Sequence, residues 1–179
     1  MWLWPERLEL PLRWRRPRRI FVNSMSDLFL AEIPEWYLAR VWATMQRAHW
    51  HTFQVLTKRP ERMSRLLRGL GLQDPPLGNV WVGTSIENRR FVHRADHLRR
   101  TPAAVRFISA EPLLGPLDNL DLTGVDWLIA GGESGARHRR LELDWVRGLR
   151  DRCHAEEVAC GRHSSAHPES PAHRGKPWA

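Results

Sequence analysis

Five short runs rich in β-branched and aromatic residues alternate with stretches in which apolar positions recur every three or four residues. The runs span residues 19–23, 52–57, 80–84, 105–109 and 125–130. Several are apolar at consecutive positions, as strands of a parallel sheet buried on both faces are. The intervening stretches predict helices. Pro34 suits a first helical position, with Ile33, Tyr37, Val41 and Met45 on one stripe and Trp36, Leu38 and Trp42 widening it. Pro60 opens a second helix whose stripe is Met63, Leu66, Leu67 and Leu70, with Gly71 as its stop. A third runs from about Asn88 with Phe91, Val92, Ala95 and Leu98 inward, ending before Thr101-Pro102. A fourth follows Asp144 and uses Trp145, Val146, Leu149 and Cys153. Residues 111–124 hold Pro112, Gly115 and Pro116 and read as irregular.

This alternation predicts right-handed βαβ units and an α/β fold around a parallel sheet. The pattern alone leaves barrel and open sheet undecided. With 179 residues the chain is too short for a complete (β/α)8 barrel of ~250 residues. No apolar run approaches the ~20 residues of a membrane span, and residues 1–7 lack the apolar stretch of a secretory signal, so a cytoplasmic protein without membrane contact is expected. Two cysteines, Cys153 and Cys160, exclude a disulfide framework. After about Val158 the periodicity ends, and residues 159–179 read as a disordered tail.

The net charge of +8 invites a nucleic-acid reading. Its distribution narrows that reading to the ends: residues 1–19 carry six Arg against two Glu, whereas 20–160 are nearly balanced. Only Lys58 and Lys176 are lysines, a skew that codon bias explains as readily as selection for phosphate contacts.

Functional groups of parallel α/β folds gather where strands end and helices begin. The five strand ends supply Asn23, Ser24, Ser26 and Asp27; Lys58 and Arg59; Ser85, Glu87 and Asn88; Glu111; and Gly131, Gly132 and Glu133. Four carboxylates with one Lys and one Arg suit a zwitterionic or hydroxyl-rich ligand, or a metal held by oxygens. Local roles compete: Ser24-x-x-Asp27 matches a capping box, and Lys58-Arg59 or Glu87-Asn88 could simply start a helix. His49 and His51 precede the second strand, at the opposite rim, which favours a structural or surface role. Cys153, Cys160, His163 and His167 imitate a zinc ligand set without finger spacing. Trp36, Trp42, Trp81, Trp127 and Trp145 fall at core-facing positions.

The strings FVNSMSDLF (21–29), TFQVLTKRPERM (52–63), NVWVGTSIEN (79–88), RFISAEPLLGP (106–116) and WLIAGGESG (127–135) together resemble the phage gene-product thirty-seven/sixty-eight family, also called three-Cys-motif proteins. The resemblance covers about residues 5–153. It implies an incomplete TIM-type parallel barrel of about five βα units, similar to radical S-adenosylmethionine (SAM) enzymes, over residues 1–158, with 1–19 as a basic lead-in. It also implies SAM and a [4Fe–4S] cluster held by an N-terminal Cys-x5-Cys-x2-Cys loop. This chain has no cysteine before Cys153, so it is expected to bind neither and to be an inactive, truncated relative that starts inside the family's first unit.

By position, the resemblance puts Asn23, Ser24, Ser26 and Asp27 near the SAM amino group and Ser85 and Glu87 near its ribose. Glu111, Gly131, Gly132 and Glu133 fall at the centre of the site, and Lys58, Arg59 and Asn88 toward the substrate, which would be unknown and nucleic-acid-linked. Two alternatives stand beside it: a non-catalytic nucleic-acid binder using Arg13, Arg15, Arg16, Arg18 and Arg19, and a cluster-free SAM- or metal-binding barrel. Open sheet edges would call for a partner protein.

Overall fold

A computed structural model describes residues 3–23, 26–72 and 74–161. Among these residues six strands form one all-parallel sheet in the order β1-β2-β3-β4-β5-β6: β1 (Arg19–Val22), β2 (Thr52–Thr57), β3 (Val80–Ser85), β4 (Val105–Ala110), β5 (Trp127–Ala130) and β6 (Ala159–Gly161). Spatial order equals chain order, so the sheet never reverses as a doubly wound sheet does. The helices are α1 (Leu10–Arg13), α2 (Glu35–Arg47), α3 (Pro60–Gly69), α4 (Arg94–Arg99) and α5 (Leu143–Ala155). Among the described residues no helix is long and apolar enough to cross a membrane.

The five expected strands are present. The sixth corrects the expected tail: Ala159–Gly161 pairs in register with Trp127, Leu128 and Ile129. Three residues are too few to carry a periodicity, and backbone pairing to β5 holds them instead. Residues 162–179 lie outside the described residues. The third helix also differs, because the Asn88 side chain accepts from the Arg90 N–H at 3.0 Å and closes a 3-10 turn at Arg89–Phe91 before α4 begins. The last helix starts at Leu143, one residue before Asp144, which pairs with Arg147. Gly71 does end α3: its φ is +62°, its N–H donates to Arg68, and Leu72 donates to Leu67 at 3.0 Å.

The core has two parts. The larger takes the buried faces of α2–α5, with Leu38, Trp42, Met63, Leu67, Leu98 and Leu149 against Phe53, Val55, Val82, Ile108 and Leu128 of the sheet. The smaller is built from strands alone: Trp81, Val105, Phe107, Trp127 and Ile129, with Leu56 against them. Trp81 and Trp127 lie two strands apart, roughly 10 Å by strand spacing. Their ring centroids are nevertheless 6.0 Å apart, and Phe107 of the strand between them lies 5.6 Å from Trp127. The rings lean toward one another and bury this face over β3, β4 and β5, whereas Phe21, at its β1 end, is 36% exposed. Trp36 departs from expectation: it is 53% exposed in the first turn of α2, edge-on to Tyr37, because Leu38, Val41 and Trp42 already fill the buried face.

His51 is structural, as its place before β2 suggests. It is 1% exposed; its Nδ1 accepts from the Arg18 N–H at 3.1 Å, which leaves Nε2–H to donate to the Pro11 carbonyl at 2.9 Å.

The self-packed face makes a direct prediction. A Cβ at Gly83 would sit 2.6 Å from the Phe107 ring, so Gly83→Ala is expected to destabilise by about 1–3 kcal/mol, the usual cost of overpacking. In urea titration, Phe107→Leu in the Gly83→Ala background should recover part of that loss, whereas additive losses would deny that the ring occupies this space.

Candidate functional site

The carboxyl ends of the strands open into a cleft of about 400 Å³. Lys58 enters it after β2, Glu87 and Asn88 after β3, Pro112 and Leu114 after β4, and Glu133 and Arg139 after β5, with Phe91 and Arg94 completing the wall. The segment after β4 laces this rim together: the Leu113 N–H donates to Gly131 at 2.8 Å and the Leu114 N–H to Glu87 at 2.7 Å. These bonds hold Pro112 and Leu114 between the ends of β3 and β5.

Glu87 is the buried charge of the site, its side chain 7% exposed. Lys58 Nζ lies 2.7 Å from its Oε1, and Arg94 Nη1 lies 3.2 Å from its Oε2. Arg94 also donates to the Ser85 carbonyl at 2.8 Å, and its guanidinium covers the Phe91 ring at 4.1 Å. Burial lowers the Arg94 pKa from its ordinary value, and Glu87 opposes that shift. A carboxylate this dry needs such partners, and it has two.

Glu133 is held differently. Arg139 reaches it with Nε at 2.9 Å, Nη2 at 2.7 Å and its own backbone N–H at 2.9 Å. These bonds, side chain first and backbone second, push the Glu133 pKa down to about 2.

Asp27 lies beside the cleft, not among its lining residues. Its carboxylate collects four donors: the Phe29 and Lys58 N–H groups, Thr57 Oγ1 at 2.7 Å and Arg59 Nη1 at 2.8 Å. It therefore ties the end of β1 to the end of β2. The capping-box alternative does not apply to it, because the chain turns at Asp27 and the next helix starts only at Glu35. Asn23, at φ +59°, and Ser26 form an exposed turn closed by Ser26 N–H to Asn23 O at 3.1 Å. Ser24 lies outside the described residues.

Ser85 is buried and contributes its carbonyl to Arg94. Glu111 is half-buried against Gly131, where an added Cβ would collide with its carboxylate. The room that Gly131 leaves is thus taken by Glu111, while Gly132 faces Leu141.

The four acids do share one rim, but Asp27, Glu87 and Glu133 each sit on a cation. Of the two ligand classes open to the strand-end acids, this pairing favours the zwitterionic or hydroxyl-rich one over a metal held by oxygens; among the described residues no cluster of three or more metal-ligating side chains occurs. Arg94 and Arg139 escaped sequence reasoning. Arg94 lies beyond the strand end that was read, and Arg139 sits in a run of basic residues that looks like solvated surface. A cation follows Glu87 by seven positions and Glu133 by six, but none follows Glu111 at that distance, so spacing alone does not single them out.

The [4Fe–4S] cluster that the resemblance implies does not fit the residues present. The chain has two cysteines, and both pack on the helix-side core. Cys153 is buried and hydrogen-bonded to Cys160, which together push its pKa up, the reverse of what a thiolate ligand needs.

Fold and site together define a parallel α/β protein with a charged cleft at the carboxyl ends of its strands. Residues 1–162 match the family described as protein of unknown function (DUF5131), and the chain belongs to it. No curated protein and no solved structure matches.

Two predictions follow the charges. Arg94→Met strips the buried Glu87 of its drier partner and should cost about 3 kcal/mol, with Glu87→Gln in the same background recovering part of it. Lys58→Met, whose side chain is 57% exposed, should cost about 1 kcal/mol or less in the same denaturation assay. For Glu133 the folded pKa lies below the ordinary 4.5, so its pairing is complete above that value and is lost as pH falls through about 2. Carboxyl NMR titration should find that low midpoint, and Arg139→Ala should raise it part of the way to the ordinary range, because the backbone N–H of residue 139 remains as a donor.

Proposed function

We propose that this cleft binds a small ligand that carries a carboxylate or phosphate together with an amino or hydroxyl group, the class to which SAM belongs. In this reading the chain is an incomplete, radical-SAM-like barrel that does no radical chemistry with the cysteines it has.

The observation that carries the reading is the charge balance of the cleft. Lys58, Arg94 and Arg139 face Glu87 and Glu133, three cations against two carboxylates. One positive charge is left for an anionic group, while either carboxylate can accept from an amine or a hydroxyl. Phe91, Pro112 and Leu114 offer apolar surface for the rest of the ligand. A volume of about 400 Å³ lies within the usual ~300–1,000 Å³ of small-molecule sites. The monotonic strand order and the ring-packed face of strand residues support the barrel.

SAM, when bound, would supply a sulfonium centre. The chain's own residues bind and orient: Arg139 and Lys58 meet the anionic end, and Arg94 holds Glu87 in place through the Ser85 carbonyl.

Titration calorimetry with SAM, Mg2+ and Mn2+ tests the site. Saturable heat with SAM, weakened at least about tenfold by Arg139→Ala, is expected, since a charged hydrogen bond is worth about 1.5–3 kcal/mol. Silence with all three ligands would refute the site. Anaerobic reconstitution with iron and sulfide tests the second half of the reading, and a cluster absorption band with stoichiometric iron would overturn it.

A further inference from the structure

The basic lead-in lies at the other end of the strands. Thr52, the first residue of β2, donates its N–H to the Arg18 carbonyl at 2.9 Å, so this segment belongs to the amino-end rim, away from the cleft. Its backbone is clamped by three groups: the two nitrogens of buried His51, on Arg18 and Pro11, and Trp50 Nε1–H, which donates to the Trp14 carbonyl at 2.8 Å. Between those clamps the chain leaves the short helix α1 at Arg13 and turns its guanidiniums outward, with Arg13, Arg15, Arg16 and Arg18 all exposed. No acidic residue occurs from position 10 to 26, and Glu9 is engaged by Arg47 at 3.2 Å. The Arg18 guanidinium lies 4.8 Å from the Trp14 ring and that of Arg7 4.8 Å from Trp4, which is itself 51% exposed.

We propose that this rim is a binding surface for single-stranded nucleic acid. A pre-ordered row of cations suits a phosphate backbone, and the exposed Trp4 indole offers a platform for an unpaired base on the side that Arg7 does not cover. An acidic protein would use the cations but not the exposed indole. A membrane surface would need an amphipathic helix far longer than the four residues of α1. The surface is separate from the cleft, so its failure leaves the small-ligand site untouched.

Fluorescence anisotropy with labelled single-stranded oligothymidylate, at rising KCl, tests the proposal. Affinity should fall with salt by about 0.7 log units per log unit of salt for each phosphate neutralised. The variant R13A/R15A/R16A, three exposed positions, should flatten that slope by about 2. W4A should weaken binding about tenfold while leaving the slope unchanged, because a base stack carries no net charge. No binding at low salt, or a slope that the triple variant leaves intact, would overturn it. So would displacement of the oligonucleotide by polyglutamate as effective as that by unlabelled oligothymidylate, which would make the surface a general polyanion site.

Discussion

The architecture depends on burying both faces of a parallel sheet when helices cover only one. Helices α2–α5 take the outer face. Among the described residues the other face is packed by strand side chains, and Trp81, Phe107 and Trp127 meet across three strands. Gly83 is part of that solution, because Phe107 rests where its side chain would be. These rings pack side by side over β3, β4 and β5, the strands whose carboxyl ends carry most of the cleft's lining residues.

Charge then shapes the rim. Glu87 cannot stay ionised in a dry place alone, and Lys58 and Arg94 reach it from two sides. Asp27 gathers donors from the end of β2 and serves the frame of the site. Glu133 and Arg139 form a wetter pair on the far wall. The cleft is consequently a set of matched ion pairs with a small positive excess. That arrangement favours a ligand bearing its own mixed charges over a bare divalent ion.

Much of this was legible in the sequence because strands buried on both faces announce themselves as unbroken apolar runs, as Val80-Trp81-Val82 does. The rim followed, since the polar residue after each run must lie at one edge of the sheet. Ala159–Gly161 was not legible, because three small residues have no pattern and are held by pairing to β5. Trp36 misled because its position fits the helical stripe, although the first turn of α2 points it to solvent. Asp27 was read as a possible cap or ligand contact, and its role as a brace between strands depends on Thr57 and Arg59 arriving from β2. Arg94 and Arg139 were hidden because loop geometry, not spacing, brings them back to the strand ends.

The central claim is that the strand face away from the helices is packed by its own aromatic rings across β3, β4 and β5. Circular dichroism tests it most directly, through the exciton couplet that two indoles produce only when they lie close together. If Trp81 and Trp127 meet over Phe107, Trp81→Phe and Trp127→Phe will each abolish the same couplet, and the double variant will change the spectrum no further. Spectral changes from the two single variants that simply add in the double variant would mean that the indoles are apart and that the face is open.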